Sequence, residues 1–87
     1  MAYDLEFTPK AKKDIQEHGK AGNKSLLSKL WFLLDELSEH PFTGTGKPEP
    51  LKHNLFGHWT RRINREHRML YRVEDDKVYV ISLKGHT

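Results

Sequence analysis

The chain contains no cysteine and no long run of apolar residues. The lack of cysteine excludes disulfide bonds and thiolate metal ligands. A membrane-spanning helix needs about 18 consecutive apolar residues, and residues 1–4 lack the basic and apolar regions of a secretory signal. We therefore expect a cytoplasmic protein with no membrane partner. The length of 87 residues predicts one domain, residues 1–87, with a small core.

Positive charge is concentrated in one part of the chain. Fifteen Lys and Arg residues oppose twelve Asp and Glu residues, so the net charge of +3 is small by itself. Acidic residues cluster in the first half, however, whereas residues 47–72 are rich in Arg, Lys and His. A local basic face attracts polyanions, of which nucleic acid is the commonest. A solvated basic surface without a ligand is the alternative interpretation.

Two helices are predicted after a first strand. Apolar and acidic residues alternate from Tyr3 to Phe7, which is the period of a strand with one buried face. Thr8 and Pro9 suit a helix N-cap and first turn, and Gly19 is the predicted end of this first helix. A leucine stripe from residue 24 to 40 predicts a second, longer helix.

Three strand-like segments follow a loop rich in proline and glycine: residues 58–63, 68–73 and 77–83. Polar turns separate these segments, so they predict an antiparallel meander. The order of a strand, two helices and a meander predicts an α+β fold in which the helices pack on one face of an antiparallel sheet. Alternation along the strands predicts these helix-facing residues: Trp59, Ile63, Met69, Tyr71, Val73, Tyr79, Ile81 and Leu83.

The opposite, open face of the predicted sheet carries cations. Alternation places three arginines and, by extension of the last strand, two further basic residues on this face: Arg62, Arg68, Arg72, Lys84 and His86. Three apolar residues fall on the same face: Leu70, Val78 and Val80. Either part of the open face is apolar, or the register shifts by one residue somewhere in the sheet.

One carboxylate in the basic region has a rigid setting. Glu49 lies between Pro48 and Pro50, which fix the backbone φ on both sides and limit the freedom of the loop. A base held in this way can remove the proton of an RNA 2′-hydroxyl. Surface pairing with Lys47 or Lys52 is the alternative interpretation of Glu49.

RNA cleavage without a metal also requires cations beside the phosphate and an acid for the leaving oxygen. Arg62 and Arg68 suit the phosphate, because a guanidinium binds two oxygens at once. His86 is the candidate acid, because imidazole titrates near neutrality. RNA binding without catalysis is the alternative role of the arginines, and a disordered tail is the alternative for His86. The predicted substrate contacts are all cationic: Lys47, Lys52, Arg61 and Lys84.

No metal or cofactor is predicted. His53, His58 and His67 could indicate zinc, but cysteine and the paired spacing of a metalloprotease helix are both missing. The GTGK segment at residues 44–47 does not predict a phosphate-binding loop, because the Walker spacing is absent and no strand precedes the segment.

A long motif begins with GTGKPEPLKHNL at residues 44–55 and continues with Gly57, Trp59, Arg61-Arg62-Ile63 and Glu66-His67-Arg68. This motif resembles the YoeB family of bacterial toxins, within the RelE superfamily. The similarity runs without a gap from about Pro41 to Tyr71 and more weakly to His86. The layout of the first strand and the two helices agrees with a RelE-like fold.

The resemblance implies a type II toxin that is a ribosome-dependent mRNA endonuclease and inhibits translation. Matching positions assign Glu49 to the family's general base, and Arg62 and Arg68 to its phosphate-stabilising arginines. Lys52 matches a basic loop residue, and His86 matches the general acid. The implied product carries a 2′,3′-cyclic phosphate on the upstream fragment.

The partners implied by the resemblance are the ribosome, mRNA and a co-expressed antitoxin of the YefM or Phd type. The antitoxin is expected to fold a partly disordered, acidic and apolar segment over the basic face or the second helix. A homodimer is compatible with the width of the leucine stripe. The family often ends in His-Tyr, whereas Thr87 follows His86 here, so the terminal aromatic ring is absent.

Two other functions fit the same residues. A non-catalytic RNA- or ribosome-binding module would use the same basic face, and its binding would weaken with salt in the same way. A purely structural partner protein is the third hypothesis. A cleavage assay separates the first function from the other two.

Overall fold

The computed structural model of the protein describes residues 2–85 as a five-stranded sheet with two helices. The strands are β1 (Asp4–Phe7), β2 (Glu49–Pro50), β3 (His58–Arg62), β4 (Arg68–Glu74) and β5 (Lys77–Ser82). The helices are α1 (Pro9–Lys20) and α2 (Lys24–Glu39), and a short 3-10 turn covers His53–Leu55. The predicted α+β fold is confirmed.

Both helices begin at side-chain caps. Thr8 Oγ1 accepts a hydrogen bond from Ala11 N at 3.1 Å, which satisfies one of the free amides at the start of α1. Asn23 Oδ1 does the same for Leu26 N at 3.0 Å in α2. The end of α1 differs from the prediction: the helix runs one residue past Gly19, and Gly22 adopts the left-handed φ of 70° after the helix.

The sheet is mixed, with the strand order β1-β5-β4-β3-β2. Strands β3 to β5 are antiparallel neighbours, as the meander predicts, and the short β2, in the segment predicted as a loop, pairs antiparallel with β3. Strand β1 instead pairs parallel to β5. A parallel pair needs a long crossover, and here the two helices and the meander connect β1 to its partner.

The core lies between the helices and one face of the sheet. Helix α2 buries five leucines along one side: Leu26, Leu30, Leu33, Leu34 and Leu37. The sheet residues buried against them are Ile63, Met69, Tyr71, Val78, Val80 and Leu83. Within residues 2–85, no helix has the length and hydropathy needed to cross a membrane.

A β-bulge overturns part of the predicted alternation. Leu70 pairs with Ser82 and Tyr71 pairs with Val80, so Ile81 has no partner in β4. The extra residue reverses the alternation of β5 at this point. The helix-facing assignment of Tyr79 and Ile81 is therefore wrong. Val78 and Val80 face the core instead, with no exposed surface, whereas Leu83 beyond the bulge is buried as predicted.

Candidate functional site

Charged residues line a pocket on the open face of the sheet, opposite the helices. The pocket has a volume of about 210 Å³ and is lined by Gly46, Lys47, Glu49, Arg62 and Arg68. Arg62 is exposed and lies between two buried residues that face the helices, so alternation directs its side chain to the open face. The structure thus brings Glu49, Arg62 and Arg68 together, although 19 positions separate the first from the last.

Strand pairing explains how these residues meet. Arg62 lies directly opposite Arg68 in the β3–β4 pair. Glu49 lies opposite Thr60, two residues before Arg62 along β3. Like charges that face each other across a sheet are destabilising, so folding alone does not favour the arginine pair. A bound polyanion would remove that repulsion.

The carboxylate of Glu49 forms no ion pair with the part of the chain that the structure describes. Among residues 2–85, no ion pair joins Glu49 to an arginine, to Lys47 or to Lys52. Surface pairing with lysine is therefore not what this carboxylate does. A carboxylate beside two guanidinium groups combines a proton acceptor with donors that suit a phosphate.

Gly46 fixes the loop that leads into Glu49. Its carbonyl accepts a hydrogen bond from Arg62 N at 2.8 Å, and its φ is 85°. A Cβ at this position would lie 2.5 Å from Arg62 O and 2.7 Å from Arg61 Cγ. Only glycine allows the loop to approach β3 this closely. The short edge strand β2 then continues the contact along β3.

Arg61 does not reach the pocket, so it cannot be the predicted substrate contact. Its side chain has no exposed surface and lies on the helix side of β3. One guanidinium nitrogen donates to Glu36 Oε1 at 2.9 Å, and the other donates to the carbonyls of His40 and Thr43. Glu36 in turn accepts hydrogen bonds from Thr45. Arg61 therefore connects the loop after α2 to β3 on the face of the sheet that the helices cover.

The two other predicted cationic contacts lie away from the pocket lining. Lys52 is exposed and precedes the 3-10 turn. Lys84 donates to Glu17 Oε1 on α1 at 2.6 Å. This hydrogen bond lowers the pKa of Glu17 and raises the pKa of Lys84. Of the four predicted contacts, only Lys47 lines the pocket.

The C-terminal segment approaches the pocket through Arg68. The backbone amide of Arg68 donates to Gly85 O at 2.9 Å, so Gly85, the last described residue, lies beside the arginine. His86, the candidate acid, lies outside the described residues, as does Thr87. Among residues 2–85, no group of three His, Asp or Glu side chains is arranged to hold a metal ion.

The sequence did not predict the contacts that two buried polar residues of α1 make with the last strand region. Asp14 and His18 are 3% and 4% exposed, and both bind the main chain of Leu83. A signal was available, because Ala11, Asp14 and His18 follow one another at helical spacing on the buried side of α1. Polar residues on such a side need specific partners.

Comparison with known protein sequences identifies YoeB-like toxins as relatives of this chain. A family model described as a YoeB-like toxin of a bacterial type II toxin-antitoxin system matches residues 7–87. The chain is 47% identical over 64 residues to Toxin YoeB of a Synechocystis species, which is 74% of each chain. It is 45% identical over 64 residues to Toxin YoeB of Escherichia coli K12, which is 74% of this chain and 76% of the relative.

Solved structures agree in fold. The YoeB/ParE toxin from Agrobacterium tumefaciens superposes with a TM-score of 0.87 and 35% identity, over 97% of this chain and 99% of that one. A YoeB dimer from Staphylococcus aureus gives a TM-score of 0.84 at 35% identity, with both chains fully covered. The YoeB-YefM complex from the same species gives 0.82 at 36% identity, also over the full length of both chains.

Proposed function

The chain belongs to the YoeB-like toxins of bacterial type II toxin-antitoxin systems, and on this basis we propose that it is an endoribonuclease that cleaves mRNA on the ribosome. The observation that carries the proposal is the shared pocket of Glu49, Arg62 and Arg68 on the open face. A single carboxylate among lining cations suits a phosphodiester substrate, whose charge the arginines offset and whose 2′-hydroxyl the carboxylate can deprotonate.

The proposed reaction uses only groups of the chain and the substrate. Glu49 accepts the proton of the 2′-hydroxyl, and the 2′-oxygen forms a bond to the adjacent phosphorus. Arg62 and Arg68 donate hydrogen bonds to the non-bridging oxygens as negative charge builds up on them. Lys47 adds a positive charge at the rim of the pocket.

The bond from phosphorus to the 5′-oxygen breaks in the same reaction. His86 donates a proton to this leaving oxygen, which leaves a 2′,3′-cyclic phosphate on the upstream fragment. The proposal for His86 is supported by the hydrogen bond between Arg68 N and Gly85 O, because Gly85 directly precedes the histidine. Lys52 lies outside the pocket, where it can contact the RNA or the ribosome.

We also propose a YefM-like antitoxin as partner and a homodimer as a state of the free toxin. The similar Staphylococcus aureus protein is known both in complex with YefM and as a dimer. The open face offers Arg62 and Arg68 as contacts for an acidic antitoxin segment. Binding there would cover the pocket and so block cleavage.

Cleavage of mRNA in purified translating ribosomes tests the proposal. Glu49→Gln keeps the shape of the side chain but removes its basicity, so single-turnover cleavage should fall by about 100-fold or more. Ribosome binding by this variant should remain near that of the parent protein. If the parent binds ribosomes but cuts no mRNA, a non-catalytic binding module is correct instead. If Glu49→Gln cuts as fast as the parent, Glu49 is not the base.

A further inference from the structure

Two ionisable side chains of α1 are buried and do not contact the pocket. Asp14 and His18 are 3% and 4% exposed, on the side of α1 that packs against β5. Burying polar groups costs free energy unless each one is hydrogen-bonded. An apolar residue at either position would avoid this cost, so their contacts need an explanation.

Both side chains bind one residue, Leu83, just after β5 ends. Asp14 Oδ2 accepts a hydrogen bond from Leu83 N at 2.9 Å. His18 Nε2 lies 2.9 Å from Leu83 O and must carry the proton, because a carbonyl only accepts. The amide and the carbonyl of Leu83 are thus both held by the helix, which fixes the direction of the chain as it leaves the sheet.

A second imidazole, that of His67, extends the contact toward the pocket. Gly85 N donates to His67 Nδ1 at 2.9 Å, and the His67 ring lies edge-on to His18, with centroids 4.8 Å apart. Gly85 O accepts from Arg68 N at 2.9 Å. The segment from Leu83 to Gly85 is therefore held from both sides up to the residue before His86.

We propose that Asp14, His18 and His67, here called the C-terminal clamp, are positioning residues that orient the general acid His86. The inference rests on the proposed function, in which His86 protonates the leaving 5′-oxygen. None of the three clamp residues lines the pocket, and each binds the main chain of Leu83 or Gly85, so the clamp acts through the main chain. Correct placement of a catalytic group matters, because a shift of about 1 Å can cost roughly 100-fold in rate.

Paired variants separate the hydrogen bond from the volume of the side chain. Asp14→Asn retains an oxygen that can accept from Leu83 N, and His18→Gln retains a donor for Leu83 O. Asp14→Leu and His18→Leu remove these groups at comparable size. The matched control is Lys10→Ala, which removes the ion pair on Asp14 but leaves the bond to Leu83 intact.

The decisive measurement compares two mRNA linkages in single-turnover cleavage on the ribosome. One substrate has the natural 5′-oxygen, and the other has a bridging 5′-sulfur at the scissile position. A thiol ionises near pH 8.5, far below an alcohol, so a thiolate can leave without receiving a proton. Loss of a correctly placed acid therefore slows the oxygen substrate selectively.

The expected result is a linkage-specific defect. His18→Leu and Asp14→Leu should cleave the oxygen substrate about 30-fold to 100-fold more slowly, and the sulfur substrate within about threefold of the parent. His18→Gln, Asp14→Asn and Lys10→Ala should stay within about threefold on both substrates. The concentration of ribosome complex at half-maximal rate should not change.

Equal losses on both linkages would overturn the clamp proposal, because they indicate a general effect on folding or substrate binding. His86→Gln is measured alongside as the reference for a missing acid. If His86→Gln shows no preference for the sulfur substrate, His86 is not the acid, and the clamp proposal fails together with that part of the proposed function. A linkage-specific defect in His86→Gln without one in the leucine variants refutes the clamp alone.

Discussion

Gly46 shows how the absence of one side chain shapes the candidate site. Its carbonyl binds Arg62 N, and its backbone approaches β3 so closely that a Cβ would collide with Arg62 O. The glycine and proline content of the segment predicts a loop, but it does not indicate which glycine makes the close approach. That information lies in the pairing of the loop with β3.

Replacing this glycine is predicted to destabilise the fold and the pocket together. Gly46→Ala adds both the strain of a residue at φ 85° and the collision with Arg62 O at 2.5 Å. Urea unfolding should show a loss of about 2–4 kcal/mol. Gly57→Ala is the control, because Gly57 has a φ of 92° but no atom within 4 Å of the new Cβ.

The control variant should lose only the strain contribution, about 1–2 kcal/mol. The difference between the two variants therefore measures the close approach itself. Equal losses would show that Gly46 is required only for its backbone angle. The loop would then have room to move away from Arg62, and the rigid placement of Glu49 would lose its support.

Arg61 and Arg62 are neighbours in sequence, but their side chains lie on opposite faces of the sheet and have different contacts. Arg61 is fully buried and binds Glu36 and two carbonyls, whereas Arg62 is exposed at the pocket. Composition alone treats both as members of one basic region. Strand alternation separates them, because adjacent residues of β3 point to opposite faces.

At the scale of elements, alternation predicted β3 and β4 well and failed in β5. Met69 and Tyr71 face the core, and Arg62 and Arg68 face away, as a regular strand requires. In β5 the bulge adds one unpaired residue, so Tyr79 and Ile81 were assigned to the wrong face. A bulge leaves no reliable mark in the sequence, because it depends on the pairing between two strands.

The joint between α2 and β4 gives a prediction about alkaline pH. Tyr71 is buried, and its hydroxyl donates to Pro41 O at 2.6 Å, which joins the strand to the loop directly after α2. Burial raises the pKa of Tyr71, while the nearby Arg61 acts in the opposite direction. The protonated side chain is thus favoured in the folded state.

The sign of the pH effect follows from this shift. Above about pH 10 the unfolded chain loses the tyrosine proton while the folded chain keeps it, so the unfolded state binds fewer protons. The free energy of unfolding should therefore fall as pH rises from 10 toward the higher pKa of the folded state. The Tyr71→Phe variant lacks the hydrogen bond to Pro41 O, so its free energy of unfolding at pH 7 should be about 1 kcal/mol lower than that of the parent. Above pH 10 the free energy of unfolding of the variant should fall less steeply, because the variant has no phenol to ionise at this position.

Urea unfolding of both proteins at pH 7, 9, 10 and 11 provides the measurement. Lysine titration affects the two proteins alike, so the comparison isolates Tyr71. A decline of equal steepness in both proteins would mean that the phenol ionises as readily in the fold as in water. In that case Tyr71 is not held by burial in the joint between helix and strand.

For the whole molecule, the order of elements was enough to predict the fold class. A first strand, two capped helices and a meander favour burial of the leucine stripe by helices placed on one face of a sheet. Parallel pairing of β1 with β5 was not predicted, because it joins opposite ends of the chain. The meander did predict which strands meet, and with them the arginines of the pocket.

The distribution of charge over the molecule predicts how RNA binding responds to salt. The net charge of +3 is small, so a general attraction to RNA should be weak. Arg62 lies at the pocket, whereas Lys12 is an exposed cation of α1, on the helical side. Arg62→Ala and Lys12→Ala each remove one positive charge, which makes them a matched pair.

Binding of a single-stranded RNA is measured from 50 to 300 mM KCl, with Glu49→Gln in every protein so that the RNA stays intact. Each phosphate contact contributes about 0.7 to the slope of log affinity against log salt for single strands. Arg62→Ala should reduce the magnitude of the slope by about this amount, and Lys12→Ala should leave it unchanged. Equal reductions would mean that RNA responds to the total charge and that the open face is not its binding site.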